Sequence, residues 1–367
     1  MWMTWKDNKN PQAGGAEFIN ETLAKRLVAD GHEVILLVAG FQGGLAKEIC
    51  DGYKIVRVGN RYTVYWLAYR YYQNNLLGWA DIVIDEMNTM PFFCKYYVKE
   101  KNILLAYQLC REIWFYQMRF PMSLIGFILE PVYLWLLKDR YVITESESTK
   151  RDMQRYGFEE KKITVVPIGI VGPTLSETTN SEKFPCPTLL SLGSIRKMKR
   201  TLDQIGAFEI AKRHIPNLKL KIAGGIADDY GHKVMRRIGA SVYAKDIEYL
   251  GYVDSAKRTE LMQKSHLILV TSVKEGWGLI VTEANRQGTP AAVYDVDGLR
   301  DSVKAGETGM ISSANTPQGL ADVIVDILSD DEKYDQIRTG ALQWSREFTV
   351  ENCYSNFKQV IQRFQQV

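Results

Sequence analysis

The sequence predicts an α/β protein made of two doubly wound domains, each a mostly parallel sheet covered by helices. Three observations predict it. Short apolar runs of strand length alternate with amphipathic stretches of helical period along most of the 367 residues. Several runs are apolar at consecutive positions, as in Val34–Val38 (VILLV), which suits a strand buried on both faces. The series is interrupted once, near its middle, by a polar stretch rich in Pro and Gly between Val171 and Pro187, which reads as an interdomain linker.

Taken in order, Ala16–Asp30 is predicted helical because Phe18, Ile19, Leu23 and Leu27 recur at helical spacing and Gly31 stops the run. Strands are predicted at 34–38, 55–58, 82–84, 103–106 and 141–144. A doubly wound domain normally opens with a strand before its glycine turn. Only Met1–Trp5 is available ahead of Gly14-Gly15, so that strand is either very short or lies upstream. Beyond the linker, strands are predicted at 188–192, 218–223, 247–250, 267–271 and 291–294, with a helix over 201–214. Domains of 1–170 and 171–349 follow from this pattern. Ligands of such sheets bind outside the carboxyl ends of the strands, which places the expected site in a cleft between the two domains.

Composition excludes several classes. A net charge of +3 with no concentrated basic stripe argues against nucleic acid as a partner. The five cysteines are scattered and form no C-x-x-C pair, so free thiols in a reducing compartment are expected. His32, His214, His232 and His266 lack metal-ligand spacing, and no metal or other cofactor is expected. The first ten residues are polar, without the apolar core of a leader, and the expected location is cytoplasmic. The longest apolar stretch, Phe120–Leu137, contains Pro121, Glu130 and Pro131, a poor membrane span. The surrounding aromatic segment, 114–141, has two readings. It packs as helices in the first domain, or it is a surface that meets the inner face of a membrane or a lipid-linked acceptor, with Arg119 and Lys138 near headgroups.

The segment with the most chemistry is Lys274–Pro290, KEGWGLIVTEANRQGTP. Small residues at Gly276 and Gly278 let the backbone approach a ligand closely. A helix starting there would aim unpaired N–H groups at a negative group such as a diphosphate. Glu275 before that start and Glu283 within the helix are placed to accept hydrogen bonds from sugar and ribose hydroxyls. Each element alone has a plainer reading: two solvated glutamates, and in Arg196–Arg200 (RKMKR) a solvated basic run.

E-G-W-G-L-I-V-T-E-A, with G-T-P downstream, resembles the E-x7-E signature of family-4 retaining glycosyltransferases, which have the GT-B fold. Pro11–Glu17 (PQAGGAE) resembles that family's glycine loop, and Ser146–Lys150 and Val165–Gly169 resemble its segments at the end of the first domain and at the crossover. Leu192–Lys199 (LGSIRKMK) resembles the stretch that binds the donor diphosphate. The resemblance implies that Glu275 contacts the donor sugar, Glu283 the ribose, and the backbone of Gly276, Trp277, Gly278 and Leu279 the sugar and phosphates. It implies that Lys199, aided by Arg196 or Lys197, neutralises the leaving diphosphate. Gly14 and Gly15, Gly193 and Ser194 would lie against the donor, and Tyr252 and Val253 near the nucleobase. Tyr107, Gln108 and Glu112 are the acceptor-side candidates.

Three positions depart from the family pattern. Ser194 stands where an arginine is common, Tyr107 and Gln108 where a histidine is often found, and Pro167-Ile168-Gly169 where Pro-Asn-Gly is frequent. The resemblance further implies that the final helix, 350–367, packs back on the first domain. The implied activity is retaining, metal-independent transfer of a hexose from a nucleotide sugar, UDP-glucose or a related UDP-hexose, to a glycan or lipid-linked saccharide. The alternatives are a nucleotide-sugar epimerase or hydrolase, and a non-catalytic nucleotide-sugar-binding protein.

Overall fold

The computed structural model describes residues 1–170, 172, 182–226 and 228–366. The chain divides into two compact units, one formed by residues 1–114, 120–169 and 349–367, the other by 115–119 and 170–348.

The first unit holds β1 (Trp2–Met3), α1 (Gly15–Ala29), β2 (Ile35–Ala39), β3 (Lys47–Cys50), β4 (Tyr53–Val58), α2 (Val64–Tyr71), β5 (Ile82–Met87) and β6 (Lys101–Ala106). After the short α3 (Trp114–Gln117), which straddles the unit boundary, come α4 (Met122–Leu137), β7 (Val142–Thr144), α5 (Glu147–Arg155) and β8 (Ile163–Val165). The sheet order is β3-β4-β2-β1-β5-β6-β7-β8. All pairings are parallel except β3 with β4. The opening strand is only two residues long, yet it is central, pairing with both β2 and β5. Strand order reverses between β1 and β5, the place where a doubly wound sheet opens a crevice at its carboxyl edge.

The second unit continues with β9 (Thr188–Leu192), α6 (Thr201–Ala211), β10 (Lys219–Ala223), α7 (Asp229–Gly239), β11 (Ile247–Gly251), α8 (Ser255–Lys264) and β12 (Leu267–Val270). It ends with α9 (Leu279–Arg286), β13 (Ala291–Val293), α10 (Leu299–Ser302), β14 (Gly309–Ile311), α11 (Pro317–Leu328) and α12 (Asp331–Ser345). Its sheet is all parallel, β11-β10-β9-β12-β13-β14, and reverses between β9 and β12. One face is covered by α6, α7 and α11 around Phe208, Leu220, Leu269 and Ile324. The other face packs Met262, Ile268, Val281 and Val293 beneath α8 and α9. Continuous apolar strands are buried on both sides, as their composition requires.

Residues 115–119 count with the second unit, where the Lys197 ammonium lies 5.3 Å from the Tyr116 ring centroid. The final helix, α13 (Val350–Gln366), belongs to the first unit. Phe357 stacks on Trp2 at 5.9 Å, Arg26 pairs with Glu351, and Tyr354 Oη donates to Asp30 at 2.7 Å. Most of the linker expected at 171–187 lies outside the described residues.

Candidate functional site

Two loops meet at the carboxyl edge of the second sheet, one after β9 and one after β12, the strands that flank its order reversal. Backbone and side-chain bonds tie them together. Val273 N donates to Met198 O at 2.9 Å, and Thr271 Oγ1 donates to Lys199 O at 2.7 Å. Lys199 and Glu275 are thereby placed opposite one another, and the ammonium pairs with the carboxylate. Ser272 Oγ donates to the same carboxylate oxygen at 2.5 Å. Burial alone would raise the Glu275 carboxyl. The Lys199 charge and hydrogen bond, the Ser272 hydroxyl and the more distant Arg196 outweigh it and hold the carboxyl below its usual range. Arg196 Nε is buried and has no hydrogen-bond partner among the described residues. A cation with an unused Nε donor thus stands beside an ion pair.

Helix α9 begins immediately after this loop. Gly278 is its N-cap, at φ +94°, a residue without a side chain to cap the first turn. The positive end of the helix and its free N–H groups are therefore available to an anion. Trp277 is turned the other way, its ring packed on Phe348 and Trp344 at 5.1 and 6.2 Å between centroids. What it leaves to a ligand is backbone, while its side chain fastens the loop to the hydrophobic core. Glu283 lies one turn into α9 and pairs with Arg258 of α8, not with Lys199. Burial pushes its carboxyl up, and Arg258 opposes the shift.

Gly193 and Ser194 are exposed at the end of β9, where Gly193 N bonds Ala223 O at 2.9 Å. Tyr252 is exposed and Val253 half-buried after β11. The sequence therefore brings Arg196, Lys199 and Glu275 together beside Gly276 and Gly278, with Glu283 held separately by its own arginine.

The first unit has a polar cluster at its own reversal point, beside the acceptor-side candidates. Gly14 caps α1, and its N–H donates to Glu17 Oε2 at 2.7 Å, so Gly14-Gly15 open the helix. Glu86, at the end of β5, accepts from Trp2 Nε1 at 3.0 Å and Asn20 Nδ2 at 2.6 Å. Tyr107, just after β6, donates through Oη to Asn20 Oδ1 at 2.5 Å, while Glu112 is exposed. Gln108 Oε1 is buried with no partner among the described residues.

Burial, reinforced by the neighbouring Glu17 charge, pushes the Glu86 carboxyl up to about 8 against its hydrogen bonds. A carboxyl whose folded value is raised binds its proton more tightly in the native state. Its contribution to stability is complete below the unfolded value and is lost as pH rises through about 8. Glu86→Gln, neutral at every pH, is expected to flatten the fall in melting temperature between pH 5 and 8. Melting curves of the two proteins across that range check it.

Sequence reasoning missed the residues that hold the loops: Thr271, Ser272, Arg258 and Gly298. Gly298 has φ +78°, and a Cβ there would stand 2.3 Å from Glu275 O and 2.8 Å from Gly276 C. Only glycine lets residues 296–298 pass so close behind the Glu275 loop. Gly298→Ala is expected to cost about 1–2 kcal/mol in backbone strain and about 1–3 kcal/mol more from the clash. Because the clash falls on the Glu275 carbonyl, ligand binding should weaken along with the melting temperature. Calorimetric melting together with ligand titration checks both.

Residues 179–344 match the family model of glycosyl transferases group 1. The match lies within the second unit. Among curated proteins, the chain is 26% identical over 220 residues to poly(glycerol-phosphate) alpha-glucosyltransferase of Bacillus subtilis, covering 59% of this chain and 31% of that protein. It is 29% identical over 139 residues to D-inositol 3-phosphate glycosyltransferase of Corynebacterium glutamicum, covering 36% of this chain and 32% of that protein. The chain thus spans about a third of the length of these relatives. Among solved structures, it resembles WaaG, a glycosyltransferase involved in lipopolysaccharide biosynthesis, with a TM-score of 0.76, 16% identity and 98% of both chains covered. It also resembles Anabaena Alr3699/HepE in complex with UDP-glucose, with a TM-score of 0.73, 14% identity, and 99% and 98% of the two chains covered. The fold is GT-B.

Proposed function

We propose that the protein is a retaining glycosyltransferase that moves a hexose from a nucleotide sugar, UDP-glucose or a related UDP-hexose, to a glycan or lipid-linked saccharide. The observation that carries this reading is the Lys199–Glu275 pair beside the unpartnered Arg196 Nε, at the uncapped start of α9. Positive groups beside the amino-terminal end of a helix suit a diphosphate. Reading Glu275 and Glu283 as the E-x7-E pair belongs to this proposal, and the UDP-glucose complex of a structural neighbour supports the choice of donor.

In this mechanism Glu275 accepts hydrogen bonds from the donor sugar hydroxyls, and Glu283, kept in place by Arg258, those from the ribose. As the glycosidic bond breaks, charge grows on the leaving diphosphate, where Lys199, Arg196 and the start of α9 stabilise it. That electrostatic task is the one a divalent cation performs elsewhere, so no metal is required. The acceptor hydroxyl attacks from the face the diphosphate leaves and gives its proton to a diphosphate oxygen, so configuration is retained without a protein nucleophile. Tyr107, Gln108 and Glu112 would contact the acceptor. The exposed apolar helix of the first unit favours the lipid-linked kind.

A melting screen of the full chain with UDP, GDP and ADP sugars tests the donor, because a ligand that binds only the native state raises the midpoint. The largest shift is expected with the UDP sugars, and no shift with any of them would overturn the proposal. Glu283→Ala is expected to weaken UDP binding by ~10–100-fold, the worth of one lost hydrogen-bonded contact to a charged group. Titration calorimetry measures that loss.

A further inference from the structure

We propose that α4 lies flat on an anionic lipid bilayer as the membrane-docking face of the first unit. The inference concerns a surface remote in sequence from the nucleotide-sugar residues and does not rest on the donor reading.

The residues Ile125, Ile128, Leu129, Val132, Trp135 and Leu136 recur at helical spacing and all stand in solvent, Ile128 at 57% and Trp135 at 59% exposure. Solvated single apolar residues need no explanation, but a continuous stripe along a whole helix does. The opposite face is fastened down by Tyr133, Leu134 and Leu137 in the core. Gly126 sits so tightly under Trp114 that a Cβ would come within 2.3 Å of the indole. The helix is therefore held with its apolar stripe outward.

The exposed stripe carries no charge. The one acidic residue of α4, Glu130, is buried and accepts from Cys110 N at 2.7 Å, Arg111 N at 2.6 Å and Trp114 Nε1 at 3.0 Å. Cations gather at the carboxyl end. The Lys138 ammonium lies 4.9 Å from the Trp135 ring centroid, Lys95 Nζ bonds Leu136 O at 2.9 Å, and Lys162 Nζ bonds Asp139 O at 3.2 Å. Two acids stand among them, Asp139 paired with Lys95 and Glu159 with Lys161 and Lys162, so the lysines at 95, 138, 161 and 162 leave an excess of positive charge at this end. Tyr96, exposed and bonded to Leu136 O at 3.2 Å, sets a second aromatic ring at the same end.

An uncharged apolar stripe ending in lysines and amphipathic rings complements acyl chains below a layer of anionic headgroups. A second copy meeting this face with its own would set a like excess of lysines beside it, whereas anionic headgroups complement that charge. Among the described residues no helix is long and apolar enough to cross a membrane, and at 1.5 Å per residue α4 measures only ~24 Å, short of the ~30 Å hydrocarbon core. The contact is therefore along the surface.

The test is co-sedimentation of the full chain with phosphatidylcholine vesicles, with and without phosphatidylglycerol, at low and high salt. Binding is expected to need phosphatidylglycerol and to fall with salt. The double variant Ile128→Glu/Val132→Glu should lower binding at least ~10-fold, with an unchanged melting temperature because both positions are exposed. Lys95→Glu/Lys138→Glu should remove the preference for phosphatidylglycerol. Brominated lipid should quench tryptophan emission in the parent protein and markedly less in Trp135→Phe. The UDP-induced melting shift should be the same in every variant, which separates failure of the docking face from failure of the donor site. Absence of binding, or equal binding by Ile128→Glu/Val132→Glu, would overturn the proposal. So would a lipid-free dimer that this variant dissociates, because a second copy would then be the occupant.

Discussion

Replacing Lys199 with alanine should slow turnover of the nucleotide-sugar donor by ~10²–10³ while leaving the protein folded. The protein's own contacts fix the ammonium: it is bonded to Glu275, and the Thr271 hydroxyl donates to the Lys199 backbone carbonyl. A donor so placed needs no reorganisation as charge develops on the leaving group, and such preorganised groups contribute most to transition-state stabilisation. The substitution also removes the charge that holds Glu275 ionised against its burial, so its carboxyl should rise. The loss of rate in Lys199→Ala should therefore be greater at acidic pH, where a Glu275 with a raised value begins to take up a proton. Steady-state UDP release from UDP-glucose at several pH values, with far-ultraviolet dichroism to establish folding, measures both effects. Near-normal turnover by the folded variant would remove Lys199 from the mechanism.

Arg57→Ala should destabilise the first unit by about 3–5 kcal/mol, the usual consequence of stripping one partner from a buried ion pair. Arg57 Nε and Nη2 bond the two oxygens of Asp7 at 2.8 and 2.9 Å, with the side chains 2% and 0% exposed. Nη1 adds Leu45 O at 2.8 Å and Glu48 at 3.0 Å. Removing the guanidinium leaves the Asp7 carboxylate buried without its counter-charge. For a unit of this size the fall in melting temperature is roughly 6–20 °C. Asp7 also accepts from Lys9 N at 3.0 Å, so it anchors the loop leading to Gly14 and Gly15. Replacing both partners by apolar residues of similar volume, as in Arg57→Met/Asp7→Leu, should recover most of the loss. Differential scanning calorimetry of the single and double variants separates the lost pair from the stranded charge.

Local pattern was enough for those elements whose signal is contained in their own residues. The runs at 34–38 (VILLV) and 267–270 (LILV) needed only continuous apolarity, because a strand covered on both faces has no polar side to display. Elements at the margins carried no such signal. Lys47–Cys50 alternates exposed and half-buried positions at a sheet edge, and Gly309–Ile311 is a three-residue edge strand, so neither stood out from a loop. The glycine turn at Gly14-Gly15 was legible, as was the start of a helix just after Gly276-Trp277-Gly278, because small residues mark the entry to a helix.

The α/β class, the two-part organisation and the kinds of residue around Lys199 and Glu275 were therefore readable along the chain. Their partners were not, and came from the folded arrangement. It gave Glu275 to Lys199 and Ser272 but Glu283 to Arg258, turned the Trp277 ring into the core, placed Gly298 behind the Glu275 carbonyl, and left one face of α4 in solvent. The physical reason is range. Hydrophobic period and turn chemistry act over a few residues along the chain, whereas ion pairs, close backbone approaches and exposure depend on segments far apart in sequence meeting at one edge of a sheet.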